Sequence, residues 1–223
     1  LKVTIYMSDL FQLIATGQKA QVIYNLREKP TLARQTNPEG ITPLLFALYY
    51  GKEDIVQAYL SLEIPLNIFE AAALGDLESV KKCLSANSSD LESYSPDGWT
   101  PLHLASHFGR TELVRYLLEK GANIQAKSRS KFSYGNSPLH AAVASGKEET
   151  VKLLLEKGAD PNFSQEEGGY TPLHIAASRT GGGKLVQMLL EKGADPLIKT
   201  EDGQTAKDIA LAKGNLKEAE ALE

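Results

Sequence analysis

The chain has 223 residues, 42% hydrophobic and 23% charged, the balance of a folded protein rather than a disordered one. Its formal net charge of −4 argues against nucleic acid as a main partner, since such affinity comes largely from neutralising phosphates. A single cysteine excludes an intramolecular disulfide and fits a reducing compartment.

In chain order, Leu1 to Gly17 lacks the basic region and small-residue cleavage site of a secretory signal. No apolar run is long enough to span a bilayer, so the expectation is a cytoplasmic protein without a membrane partner. A signal removed before residue 1 would leave no trace here, and Met7 is a candidate start with Leu1–Tyr6 upstream of it. A frame then recurs, opening at Ser8, Thr42, Leu66, Thr100, Ser137, Thr171 and Thr205, with steps of 34, 24, 34, 37, 34 and 34 residues. Gly17, Gly51, Gly75, Gly109, Gly146 and Gly214 each stand nine residues after a start. The sixth unit carries a one-residue insertion around Gly181-Gly182-Gly183.

One unit reads directly as local structure. Thr100 is an N-cap and Pro101 sits at the first helical position, where a missing N–H costs nothing. Leu102–Phe108 makes a short helix, and Gly109 ends it in the φ > 0 conformation. A second helix, Glu112–Lys120, places Leu113, Val114, Leu117 and Leu118 on one face, and Gly121 stops it. A turn such as Ser95-Pro96-Asp97-Gly98 leads to the next unit. Neither helix is long enough to be stable alone, so stacked neighbours must share one core.

The pattern T-P-L-H-x-A-x-x-x-G, then V-x-x-L-L-x-x-G-A, resembles the ankyrin repeat. The fullest matches are residues 42–60, 100–124, 137–162 and 171–197; those at 66–86, 205–222 and 8–27 are more degenerate. The degenerate start and the short second step resemble free-standing ankyrin proteins of bacteria and archaea. The resemblance implies an all-α ankyrin-repeat solenoid of about seven helix-turn-helix units with β-hairpin finger loops. It also implies a single domain over residues 1–223. The units would be about 8–36 (N-terminal cap), 42–65, 66–94, 100–131, 137–166, 171–200 and 205–223 (C-terminal cap). The short step predicts that Ser61–Pro65 joins two units without a finger. The long step puts its surplus in Gln125–Asn136, a finger carrying Lys127, Arg129, Lys131, Phe132 and Tyr134. That finger is either a basic, aromatic prong for an acidic partner or a solvated loop.

No constellation for chemistry emerges. His103, His140 and His174 occupy the fourth place of the signature, one repeat apart, whereas a metal site needs ligands that converge on one point. The resemblance implies that they bond neighbouring backbone. His107 stands at a variable, surface-facing place. Cys83 holds an apolar place shared with Leu117 and Leu154, which predicts a buried structural thiol. Gly181-Gly182-Gly183-Lys184 departs from a phosphate loop, because Leu185 stands where Ser or Thr is needed. The expectation is no enzyme, no cofactor and no metal.

For the family, the resemblance implies a protein or peptide gripped in the concave groove. Its contacts come from the pair before each conserved Gly and the residues before each Thr. Those places hold Tyr49, Tyr50, His107, Phe108, Trp99, Asn136 and Tyr170, with Asp97 and Tyr134 slightly earlier on the fingers and Lys127, Arg129 and Lys131 on the long one. Trp and Tyr are enriched among residues that dominate interfaces. The alternative is packing: Trp99 would stiffen its finger, and Tyr49 and Tyr50 would fill the space of the missing one. The leading function is therefore a protein-interaction module, monomeric on its own. The second is an inhibitor or self-protection protein for a cognate enzyme.

Overall fold

The structure, a computed structural model, describes residues 9–131 and 133–223, so Ser8, Met7 and the finger residue Phe132 lie outside the described residues. The chain divides into two compact units, the first ending at Glu70 and the second starting at Ala71.

The first unit holds α1 (Leu10–Ala15), α2 (Lys19–Glu28), a 3-10 turn over Pro30–Arg34, α3 (Pro43–Tyr49) and α4 (Glu53–Leu60). Each helix pair is a hairpin, and α1 packs on α3 while α2 packs on α4. Ile14, Val22, Leu26, Leu44, Leu45 and Val56 fill the space between them. Thr42 caps α3 by accepting the Leu45 N–H, with Pro43 behind it. Ser61–Glu63 then turns the chain, with Glu63 at φ 53, toward α5 (Ile68–Leu74). The α5 start is fixed by Asn67, one place after the frame start at Leu66. The Asn67 side chain accepts the Glu70 N–H at 2.9 Å while the Glu70 carboxylate accepts the Asn67 N–H at 3.1 Å, a reciprocal cap.

Glu70 is fully buried. It accepts from the Thr42 hydroxyl at 2.9 Å and from Arg34 Nη1 at 2.8 Å, while Arg34 Nη2 donates to the Pro65 carbonyl. In this unit the frame carries Leu45 where other units carry histidine, and the Thr42 hydroxyl is taken up by Glu70 instead.

The second unit continues with α6 (Leu77–Ala86), a 3-10 turn over Ser88–Glu92, and four helix pairs: α7 (Pro101–His107) with α8 (Thr111–Glu119), α9 (Pro138–Ala144) with α10 (Glu148–Glu156), α11 (Pro172–Ser178) with α12 (Gly183–Glu191), and α13 (Ala206–Ala212) with α14 (Leu216–Glu220). Helices α7, α9, α11 and α13 stack in one row and α8, α10, α12 and α14 in another, a helical solenoid. Leu102, Leu139 and Leu173 from the first row meet Val114, Leu117, Val151, Leu154, Val186 and Leu189 from the second in the buried core.

The β-hairpin fingers are not formed: no strand occurs among the described residues. The short fingers are tight turns, closed for example by Ser95 N–H to the Trp99 carbonyl and Thr200 N–H to the Gln204 carbonyl, and the long one is an irregular loop closed by Ser128 N–H to the Asn136 carbonyl. The amides a ladder would use bond the neighbouring turn instead: Arg129 N–H donates to the Gly98 carbonyl at 2.8 Å and Glu201 N–H to the Gly168 carbonyl at 3.0 Å. Gly98 permits this contact, since a Cβ there would stand 2.3 Å from the Ser130 nitrogen.

The frame glycine Gly109 serves two purposes. Its φ is 68°, and a Cβ would meet the Lys147 side chain at 2.8 Å. Gly109→Ala is therefore expected to destabilise the second unit by roughly 1–2 kcal/mol, read as a shift in urea midpoint. The same change at Gly214, where nothing lies within 4 Å, should show only the backbone strain.

Candidate protein-binding face

The histidines of the signature come first, because they set the frame for everything around them. His103 Nδ1 lies 2.7 Å from the Thr100 hydroxyl and accepts the Thr100 N–H, while Nε2–H donates to the Asn136 carbonyl at 2.8 Å. A carbonyl only accepts, so the ring is the neutral Nε2–H tautomer. His140 repeats this with Ser137 and the Tyr170 carbonyl, and His174 with Thr171 and the Gln204 carbonyl. Burial holds His103 and His140 down to about 4 and lowers His174. Both nitrogens of each ring are committed, and among the described residues no group of histidine, cysteine or acid could hold a metal.

Three residues near the ends of the first-row helices work in the other direction. Arg110 Nε donates to the Ala73 carbonyl at 2.8 Å, Arg179 Nη1 to the Ala144 carbonyl, and Asn215 Nδ2 to the Ala177 carbonyl at 2.9 Å. These carbonyls sit at helix C-termini, where no intrahelical donor remains.

Within the second unit, four expected residues gather. Trp99 packs edge-on to His103 with ring centroids 5.4 Å apart and lies 6.4 Å from His107. His107 meets Phe108 edge-on at 4.9 Å, and its Nδ1 is 2.7 Å from the Ser145 hydroxyl of the next unit. His107 is thus half-buried rather than simply surface-facing, and burial followed by the Lys147 charge holds it down to about 4. Asp97 bonds the Ser95 hydroxyl at 2.6 Å in the turn before Trp99.

The long finger lies along its neighbours. The Arg129 guanidinium stacks 3.8 Å from the Tyr94 ring centroid, and the Tyr94 hydroxyl donates to the Lys127 carbonyl at 3.0 Å. Lys127 pairs with Glu166 at 2.7 Å, and Lys131 is exposed. Tyr134 is 42% exposed at the finger tip. Asn136 is buried, and its side-chain oxygen has no partner among the described residues. Tyr170 is half-buried 5.9 Å from the His174 ring, with its carbonyl on His140. In the first unit, Tyr50 is 58% exposed and stacks on Phe46 at 4.3 Å, which meets Phe11 edge-on; Tyr49 beside it is half-buried.

Three other features are resolved. Cys83 is half-buried, and burial pushes its thiol up, away from the reactive thiolate. The α12 N-terminus after the triple glycine is already filled: Gly183 N–H donates to Glu218 at 3.2 Å, and Lys184 pairs with Glu148. A cleft of about 560 Å³ lies between α10 and α12 along Lys152, Leu155, Lys184 and Met188, away from the aromatic cluster. Sequence reasoning missed the pairing of buried Glu70 with exposed Arg34 and the His107–Ser145 bond.

Among the described residues no helix is long and apolar enough to cross a membrane. Family models for ankyrin repeats match residues 68–165 (three copies) and 163–210 (many copies). Human ankyrin repeat and SAM domain-containing protein 3 is 40% identical over 63 residues, 28% of this chain and 10% of that protein. Alpha-latrocrustotoxin-Lt1a of Latrodectus tredecimguttatus is 34% identical over 121 residues, 50% of this chain and 9% of that protein. Ankyrin repeat and SAM domain-containing protein 6 of Rattus norvegicus is 34% identical over 125 residues, 56% of this chain and 11% of that protein. The chain spans about a tenth of the length of these eukaryotic relatives. With residues 68–210 matched, more than half of its 223 residues, the chain belongs to the ankyrin-repeat family, whose repeats form a non-catalytic scaffold that generally acts in protein–protein interaction.

Proposed function

We propose that this chain binds a partner protein or peptide on the concave side of its second unit, with Trp99, His107 and Phe108 at the centre. The observation that carries the reading is the cluster itself. Three aromatic rings from a turn and a helix end meet at places the repeat frame does not dictate, and the middle one, His107, is held by Ser145 of the next unit. A partly exposed, rigid aromatic patch gives large contact area at low entropic cost. Asp97, Tyr134, Tyr170 and the finger residues Lys127, Arg129 and Lys131 form its rim, and Asn136 shapes it from below. Tyr49 and Tyr50 offer a separate aromatic patch on the first unit. The same reading takes the chain as a cytoplasmic, prokaryotic-type array, monomeric on its own, that does not bind nucleic acid; the single cysteine, the acidic charge and the degenerate first unit support it.

Trp99→Ala with Phe108→Ala is expected to reduce partner capture from a lysate of the source cells at least 10-fold, as loss of interface anchors does. Unchanged helical circular dichroism would show that the double variant is folded. Undiminished capture by that folded variant would overturn the site.

A further inference from the structure

We infer that Arg129 is the seat for a carboxylate of an acidic partner segment, an inference that rests on the binding role proposed above. Two observations carry it. First, the side chain is positioned in advance. Its guanidinium lies 3.8 Å from the Tyr94 ring centroid, its backbone N–H is tied to the Gly98 carbonyl at 2.8 Å, and the Tyr94 hydroxyl is itself anchored on the Lys127 carbonyl. Second, the guanidinium is exposed and makes no ion pair or hydrogen bond among the described residues, whereas its neighbour Lys127 is paired with Glu166. A planar guanidinium stacked on a ring presents its remaining N–H groups as a fork, the geometry that receives two oxygens of one anion.

Local charge selects among anions. Glu166 offsets Lys127, and Asp97 lies beside Gly98 in the turn that Arg129 bonds. Two acidic side chains already stand beside the finger, which disfavours a phosphoryl group with nearly two negative charges and suits a carboxylate with one. Trp99 follows Gly98 directly, so a segment whose acidic side chain reaches Arg129 comes beside the aromatic cluster. The tyrosine–arginine stack thus gives the finger a specificity element that a solvated loop would lack.

A random peptide library selected on the whole chain tests this, with binding of the selected, dye-labelled peptides read by fluorescence anisotropy. Selected peptides are expected to share one Asp or Glu position. Replacing that residue by Gln should weaken binding to the native chain about 10-fold, the scale of a charge-assisted hydrogen bond, and leave binding to an Arg129→Gln chain unchanged. Arg129→Lys, which keeps the charge and loses the fork, should recover only part of the affinity. No shared acidic position, an acidic preference that survives Arg129→Gln, or tighter binding of a phosphoserine version would each overturn the seat. Peptides lost with Trp99→Ala and Phe108→Ala but unmoved by Arg129→Gln would discard the seat and keep the binding face. Failure to select any peptide would count against both.

Discussion

Between pH 6.5 and pH 4 the second unit is expected to lose roughly 3 kcal/mol of stability for each of His103 and His140. In the fold both rings are held at about 4 instead of 6.5, chiefly by burial. Each has its Nδ1 lone pair committed to the helix cap and its Nε2–H to the next unit's carbonyl. A proton added at Nδ1 would face the Thr100 or Ser137 N–H, so the folded ring resists protonation while the unfolded one accepts it near 6.5. The contribution is fully present above pH 6.5 and disappears as the pH falls through 4. His107, also held at about 4, adds in the same direction. Urea midpoints at pH 7, 5.5 and 4 would measure the slope, and a flat profile would mean the relay bonds are not formed in solution.

Removing Arg34 is expected to cost the first unit roughly 1–3 kcal/mol, because it takes a charge-assisted donor from the buried carboxylate of Glu70, whose other donors remain. Arg34→Ala also strips the Pro65 carbonyl of its donor. The damage should be local: hydrogen exchange would quicken in α2, α3 and α4 while the second unit keeps its protection. Tyr59 offers an internal reporter. Its hydroxyl donates to the Ala33 carbonyl at 3.4 Å, and burial followed by the Glu70 charge pushes its ionisation well above the ordinary tyrosine range. Equal stability of Arg34→Ala and the native chain would mean that the pair is a surface contact.

The helices and caps of the second unit were legible because their causes are local. Thr100, Ser137 and Thr171 with a following proline announce each first helix, and for the first two the glycine nine places on announces its end. The structural role of His103, His140 and His174 was expected from their shared place in the frame, and the bonds agree. The turns were misread as hairpins because hairpin and stacked turn share the same Gly, Asp and Ser content. What decides between them is whether an amide such as that of Arg129 bonds across its own turn or to Gly98, some thirty residues away. His107 was placed by its position in one helix, while Ser145, its partner, stands in the next unit. Glu70 left one usable trace: Asn67 followed three places later by Glu is a helix-start pattern, which would have moved the third frame start from Leu66 to Asn67. Its pairing with Arg34 crosses a loop and had no such trace.

Six of the bonds between units of the second array accept on backbone oxygen. His103, His140 and His174 close on the carbonyls of Asn136, Tyr170 and Gln204, three dissimilar residues, and Arg110, Arg179 and Asn215 close on those of alanines. Every residue possesses a carbonyl, so the joint makes no demand on the side chain at the accepting place. Substitution at those accepting places that reach the surface, such as Ala144, Tyr170 and Gln204, can change what is presented to the outside while the units remain fastened. The fold therefore insulates the evolution of its contact surface from the evolution of its stability, and a new partner can be met by altering those places alone.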